Sequence, residues 1–442
     1  MKNILVIGAG RSAVTLIKYL LDMSVTNNWQ VTVADFSEDL AKEAVASHTN
    51  GKAIFFNVTD EKQRQKEIAD ANIVISMLPA SLHITVAKDC VRLKKSLVTA
   101  SYVSEEIAEL DESAKQAGVL LLNEIGLDPG IDHMSAMQVI DNIKEKDGEL
   151  TSFKSFCGGL VHPDYDTNPW NYKFTWNPRN VVLAGQGIAQ YIKQGKYKYI
   201  PYARLFERTE KMSILDAGEF EGYANRDSLS YRKAYGLENI PTLFRGTLRR
   251  KGFCKSWNMF VQLGMTDDRY KVENSENLTY REFINLFLPY NHKISVEEKF
   301  CSYLNLSHDS EDFKKAEWLG VFTDVNVGLK DASPAQILQK ICEEKWTLGS
   351  EDKDMIVMQH HFEYIQNGEQ KKLNSSLLVF GETPRFTSMA KTVGLPVAIA
   401  AKLILSGEIK LTGVKIPTTK DVYIPVLKEL AENGINFVEE LV

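Results

Sequence analysis

Lys2-Asn3-Ile4-Leu5-Val6-Ile7-Gly8-Ala9-Gly10-Arg11-Ser12-Ala13 is the stretch whose reading decides the fold. Lys2–Ile7 is a short apolar run, the pattern of a strand buried on both faces. Gly8, Gly10 and Ala13 then make the spacing G-x-G-x-x-A, and Val14, Ile17, Leu20 and Leu21 continue at helical period. A strand, a tight glycine turn and a helix in that order suit the phosphates of a dinucleotide. Gly8 permits the turn, Gly10 lets a pyrophosphate approach the backbone, and Ala13 keeps the helix close to the strand. Unpaired N–H groups at the helix start then face the phosphates, with Arg11 and Ser12 in the same loop. A second strand, Gln30–Val33, leads to Asp35, 25 residues beyond Gly10. A carboxylate there accepts hydrogen bonds from both hydroxyls of an adenosine ribose and repels a 2′-phosphate. The local expectation is therefore NAD over NADP. Arg11 is the neighbouring group able to reach a 2′-phosphate, so NADP stays open.

Working outward, strands are expected at Ala53–Phe56, Ile73–Leu78, Ser96–Thr99 and Val119–Asn123. Helices are expected at Ser37–His48, Asp60–Ala69, Leu82–Leu93 and Glu105–Ala117. Strands alternating with helices mean a parallel sheet covered on both faces, whose ligands bind beyond the carboxyl ends of the strands. That rule selects the loops Gly8–Ala13, Asp35–Ser37, Leu78–His83 and Ala100–Tyr102. The segment Glu124–Gly130, with its Gly-Leu-Asp-Pro-Gly turn, is the expected hinge into a second domain. Beyond it, strands are expected at Thr151–Gly158, Tyr172–Trp176 and Arg245–Arg250, and a helix at Val181–Gln194. Two extended runs around Asn367-Gly368 predict a hairpin over 354–380. Residues 253–348 read as a helical insertion. Thr387–Ser406 reads as a helix that Pro396 should kink or divide. The expected division is a nucleotide domain over 1–128, with 385–442 returning to it. A mixed α/β domain follows over 129–252 and 349–384, and a helical subdomain over 253–348 is inserted in it.

A chain of 442 residues needs more than one core. Its net charge of −6 supplies no basic field for nucleic acid. No run of about 18 apolar residues is expected, hence no membrane span. The first strand begins at Lys2, which leaves no space for a leader peptide ahead of it. Five scattered cysteines without metal spacing point to reduced thiols in a cytoplasm and to no metal site. Among polar residues, Ser101-Tyr102 and Asp128 gain interest from lying beyond strand ends. Turn chemistry is the competing explanation for Asp128. Cys157 fits packing better than nucleophilic chemistry, and His133 is a weak acid–base candidate. The arginines of Asn225–Ser228 and Arg245–Arg250 suit an anionic, carboxylate-bearing substrate.

Several segments together are more specific than the glycine loop. They are Thr99–Ser104 (TASYVS), Asn123–His133 (NEIGLDPGIDH), Phe156–Leu160 (FCGGL) and Asn168-Pro169. Tyr172–Trp176 (YKFTW), Asn225–Ser228 (NRDS) and Arg245–Arg249 (RGTLR) continue them, then Trp318–Phe322, Met358–His360 and Met389–Gly394. In this order they resemble the saccharopine dehydrogenases of the L-glutamate-forming type, over essentially the whole chain. The resemblance implies a Rossmann-like domain, a mixed α/β substrate domain and an all-helical part. It also implies reversible oxidation of saccharopine to L-glutamate and 2-aminoadipate 6-semialdehyde. By motif match it places substrate contacts at Ser101, Tyr102, Asp128, Arg226, Thr247, Leu248 and Arg249. It sets the coenzyme against Gly8–Ser12, Asp35-Phe36, Leu78-Pro79, Thr99–Ser101 and the loop Leu127, Asp128, Pro129, Gly130 and Ile131. Asp128 and Tyr102 are the candidates for proton transfer. Fungal biosynthetic members of the resembled family use NADP and carry Cys-Arg-Thr where this chain has Asp35-Phe36-Ser37, a departure that again favours NAD. The alternatives are a related imine reductase, such as a carboxynorspermidine dehydrogenase, and a non-catalytic nucleotide sensor. Apolar residues in the helical insertion are compatible with a homodimer.

Overall fold

A computed structural model describes residues 1–442. The chain divides into two compact units. The first comprises Met1–Leu150, Ile365–Gln370 and Leu377–Val438, and the second Thr151–Tyr364, Lys371–Ser376 and Glu439–Val442.

The first unit is built on six strands in chain order: β1 (Lys2–Ile7), β2 (Trp29–Asp35), β3 (Gly51–Phe55), β4 (Ile73–Ser76), β5 (Ser96–Val98) and β6 (Leu120–Leu122). A seventh, Gly413–Lys415, returns from the C-terminal part and pairs with β6. The order across the sheet is Gly413–Lys415, β6, β5, β4, β1, β2, β3, and the ladders are parallel. Ile4, Leu5, Val6 and Ile7 are completely buried. Each contributes about 1.5–3 kcal/mol relative to an exposed side chain. Helices α1 (Val14–Asn27), α2 (Glu38–Val45), α3 (Glu61–Asp70) and α4 (His83–Arg92) connect the strands. Ser37 accepts the Leu40 N–H to start α2, and Asp60 accepts the Gln63 N–H to start α3. The order β3-β2-β1-β4-β5-β6 reverses direction between β1 and β4, where a parallel sheet opens a ligand crevice.

The first unit extends past residue 128 to Leu150 because helix Ile131–Glu145 packs against helix Lys420–Glu432, with Tyr423 donating to Asp141 at 2.6 Å. Helix Ser388–Ser406 runs on through Pro396 as one helix and is not divided into two. By length and composition it is also apolar enough to cross a membrane, contrary to the sequence expectation. Two thirds of it is buried inside the protein, and at Gly394 an added Cβ would lie 3.1 Å from Leu16 and the Ser12 carbonyl. It is the core helix against which α1 packs, and that role explains its composition.

The second unit holds a mixed sheet in which strand Thr242–Arg250 runs parallel to Glu149–Val161 and antiparallel to Glu219–Ala224. The expected hairpin forms from Asp354–Gln366 and Glu369–Phe380, with Asn367 and Gly368 both at positive φ. Helices Phe253–Leu263, Tyr280–Asn285, Val296–Leu304, Glu311–Leu319 and Pro334–Trp346 fill residues 253–346. Two expectations fail. The helix expected at Val181–Gln194 stops at Val182, because Gly185 and Gly187 turn at positive φ. Ile188–Lys193 then pairs antiparallel with Lys196–Pro201 around Gly195. Tyr172–Trp176 is not a strand either. Asn168 accepts from the Trp170 N–H and donates to the Tyr172 carbonyl at 2.9 Å each, a side-chain turn in place of a ladder.

Candidate active site

The glycine loop is built by backbone. Gly8 adopts φ +105°, and a Cβ there would sit 2.9 Å from the Met77 carbonyl oxygen, so no other residue fits. At Gly10, by contrast, an added Cβ meets no protein atom within 4 Å. The space in front of it is open. A 3₁₀ turn, Arg11–Ala13, feeds α1, and no side chain caps either start, so the leading N–H groups remain free to hold an anion. Asp35 stands at the end of β2 beside this loop. Its Oδ2 accepts from the Ala9 N–H at 2.7 Å and its Oδ1 from the Ser37 N–H at 2.8 Å. The carboxylate is therefore held in one orientation, with lone pairs to spare. Phe36 is 71% exposed and lies 5.5 Å, centroid to centroid, from half-exposed Phe55, whose Cα is the register partner of Asp35. Arg11 is exposed in the same loop.

At the ends of β4, β5 and β6 the loops are tied together. His83, the first residue of α4, places Nδ1 2.8 Å from Ser76 Oγ and Nε2 2.7 Å from Ser101 Oγ. Burial pushes its imidazole down to about 4, against a smaller opposing effect of a hydrogen bond to the Leu78 carbonyl. The Glu124 N–H donates to the Ser101 carbonyl at 3.0 Å, while Glu124 Oε1 accepts from the Val103 N–H at 3.0 Å. Gly126 passes so near Ala100 that a Cβ would stand 2.9 Å from the alanine methyl. The turn that follows is rigid. Gly130, at φ +145°, would bring a Cβ 2.2 Å from Gly126 N. The Gly126 N–H donates to the Pro129 carbonyl, and the Gly130 N–H to Asp132 Oδ1 at 2.6 Å. The Asp128–Pro129 bond is cis. Asp128 itself is half-buried and Tyr102 is 53% exposed. His133 is wholly buried between Glu124 at 3.1 Å and Asp132 at 3.6 Å, which assigns it to bracing this turn.

In the second unit, alternation along strand Thr242–Arg250 puts Arg245, Thr247 and Arg249 on one face. Thr247 Oγ1 donates to Asn225 Oδ1 at 2.7 Å, which joins this strand to the segment carrying Arg226. Arg226 is exposed. Arg249 is 2% exposed and lies over the rings of Tyr172 (5.1 Å), Phe253 (5.5 Å) and Tyr223 (5.7 Å). One of its amino groups donates to the Leu248 carbonyl at 2.8 Å, and its buried Nε has no partner. No carboxylate forms an ion pair with it. A buried guanidinium held by aromatic faces and one carbonyl has binding capacity left for an anion. Cys157, buried and in no disulfide, is the register partner of Thr247. Strand Glu149–Val161 does not end at Gly158 and Gly159. A Cβ on Gly158 would stand 2.8 Å from the Leu248 carbonyl oxygen, so this glycine serves close strand packing.

This geometry has relatives. A family model described as the saccharopine dehydrogenase NADP binding domain matches residues 4–122, and one described as the saccharopine dehydrogenase C-terminal domain matches residues 126–435. The chain belongs to the saccharopine dehydrogenase family. It is 34% identical to the L-glutamate-forming, NADP(+) saccharopine dehydrogenase of Saccharomyces cerevisiae over 452 residues, covering 100% of this chain and 99% of that one. The apo structure of the enzyme from that yeast superposes with a TM-score of 0.91 over the whole of both chains, at 33% identity. The mitochondrial alpha-aminoadipic semialdehyde synthase of Mus musculus is 35% identical over 443 residues, and the chain spans about half (47%) of that protein's length. The family, the fold and a nicotinamide dinucleotide as coenzyme follow from these matches.

The structure thus brings Gly8, Gly10, Asp35, Leu78, Thr99, Ser101 and the 127–131 turn to one edge of the first sheet. In the second unit it gathers Thr247 and Arg249. Sequence reasoning missed His83 and the aromatic faces of Tyr172 and Tyr223. His83 lay inside a loop that the strand-end rule selects, so a signal existed. Nothing local marks the tyrosines, since they come from distant segments.

Proposed function

We propose that this chain catalyses the reversible oxidation of saccharopine to L-glutamate and 2-aminoadipate 6-semialdehyde, with NAD preferred over NADP. The observation that carries the reading is Arg249, a buried cation without a carboxylate partner, in a chain related end to end to an L-glutamate-forming enzyme. Saccharopine bears carboxylates suited to such a group and to exposed Arg226. The bound nicotinamide supplies the hydride acceptor. The chain's own residues hold the reactants. Gly10 and the start of α1 take the pyrophosphate, Asp35 takes the adenosine ribose hydroxyls, and Thr247, Leu248 and Arg249 take the substrate. Asp35 disfavours a 2′-phosphate by charge, and Phe36 offers an apolar face in place of a cation. Hydride leaves the carbon next to the bridging nitrogen, water adds to the resulting C=N bond, and the C–N bond breaks with nitrogen departing in glutamate. Asp128 and Tyr102 move the protons between water and nitrogen. Five buried cysteines, none in a disulfide, fit a reducing compartment such as the cytoplasm.

The discriminating test is substrate choice under single arginine replacement. With Arg226→Ala and Arg249→Met, KM for saccharopine should rise strongly while KM for NAD stays within about twofold. Indifference of saccharopine KM to both changes, or faster turnover of a polyamine-derived secondary amine, would refute the reading in favour of another imine reductase.

A further inference from the structure

We propose that His83 is a positioning residue that commits the Ser101 hydroxyl to accept a hydrogen bond from the bound coenzyme or substrate. The inference rests on the reading that Ser101 contacts ligand at this strand edge. His83 touches no ligand itself. It stands behind the edge, 1% exposed, with Ser76 on one side and Ser101 on the other. Ser76 ends β4 and Ser101 lies in the loop after β5, the strand that pairs in parallel with β4, so the ring joins the two strand ends on which a nicotinamide would rest.

The direction of each hydrogen bond follows from chemistry. Burial holds the imidazole down at about 4, so at neutral pH it carries one N–H and one lone pair. The Leu78 carbonyl, two residues beyond Ser76, also bonds the ring, and a carbonyl oxygen can only accept. With the ring proton on Nδ1, beside the Ser76–Leu78 turn, Nε2 is the acceptor. Ser101 then donates its O–H inward to Nε2. Its lone pairs then face outward, and the half-buried Ser101 hydroxyl has no other side-chain partner. Fixed lone pairs at this edge suit a ligand N–H, and two sources carry one: the carboxamide of nicotinamide and the ammonium of the substrate. A proton-shuttle role fits poorly, because the far partner, Ser76, is fully buried and offers no exit to solvent.

A double-mutant cycle on the full chain, read as kcat/KM and as KM for each ligand, tests this. Ser101→Ala and His83→Phe should each lower kcat/KM about tenfold, and the double variant should also stand about tenfold below wild type, because both remove one interaction. The ligand whose KM rises identifies the N–H donor. His83→Gln, whose amide spans nearly the same two positions, should return to within about threefold of wild type. If His83→Phe fails to fold, His83→Asn carries the same prediction, since it keeps a donor toward Ser76 but reaches nothing at Ser101. Additive losses, about a hundredfold in the double variant, would overturn the inference and make His83 a scaffold residue while leaving the contact role of Ser101 intact. A silent Ser101→Ala would overturn both that role and the inference. Wild-type kcat/KM in His83→Phe or His83→Asn would overturn the inference alone.

Discussion

On the proposed function, the glycine loop of the first unit and the arginine strand of the second both receive anions, and they do so by opposite means. In the loop, the backbone makes the site: Gly10 is bare, the start of α1 is uncapped, and the Asp35 carboxylate is tethered by two backbone N–H groups. In the strand, a single side chain carries the charge, and three rings from Tyr172, Tyr223 and Phe253 hold it. A backbone site is compact in sequence, because consecutive residues make it. A caged guanidinium depends on segments far apart in the chain. The first kind tolerates many side chains and no Cβ at its key positions, and the second tolerates no loss of one side chain.

That contrast can be broken by experiment. The largest effect should come from Arg249→Met, which removes charge yet keeps bulk against the rings. Charge-assisted bonds are worth about 1.5–3 kcal/mol each, so KM for saccharopine should rise about a hundredfold. Adding bulk should do to the loop what removing charge does to the strand. Gly10→Val should raise KM for the coenzyme about thirtyfold or more while Tm stays within about 2 °C, because its Cβ meets no protein atom. A matching fall in Tm would show that Gly10 is structural. Gly8→Ala sharpens the point from the other side. The φ of +105° and the Met77 carbonyl at 2.9 Å make it a folding variant, and Tm should fall by several degrees. Asp35→Ser should move the ratio of kcat/KM for NAD over NADP about tenfold toward NADP, and an unchanged ratio would remove Asp35 from coenzyme choice.

The smallest effect concerns acid. Burial holds both His83 and His361 down at about 4. Each stays neutral in the folded protein but takes up a proton in the unfolded chain once pH falls below about 6.5. Their contribution is therefore complete above that pH and is lost progressively as pH falls toward 4. His361→Phe should flatten the decline of Tm between those values by a few degrees, and an identical decline in the variant would exclude the linkage.

The same contrast explains what was legible in the sequence. Lys2–Ala13 and the alternation of strands and helices after it made the parallel sheet legible, because each step depends on the next few residues only. Asn367-Gly368 marked its hairpin for the same reason. The failures lie where distant partners decide. Ile188–Lys193 has residues able to form helix or strand, and Gly195 with the facing Lys196–Pro201 tips the balance to a ribbon. Tyr172–Trp176 looks extended, but its bonds go to the Asn168 side chain at Tyr172 and to the Trp346 carbonyl at Phe174, a single bridge and no ladder. Ser388–Ser406 reads as apolar because it is a core helix crossing α1 closely at Gly394. Arg249 was one of several clustered arginines in the sequence, and only the resemblance singled it out among them. Its cage of rings is a tertiary product, invisible along the chain.

The most direct measurement is a mass balance in one vessel: purified protein, saccharopine and NAD, with reduced coenzyme, glutamate and semialdehyde followed together. The account predicts one glutamate and one semialdehyde for each NADH formed, with NADP a poorer oxidant. No saccharopine-dependent reduction of either coenzyme, or reduction without release of glutamate, would contradict it.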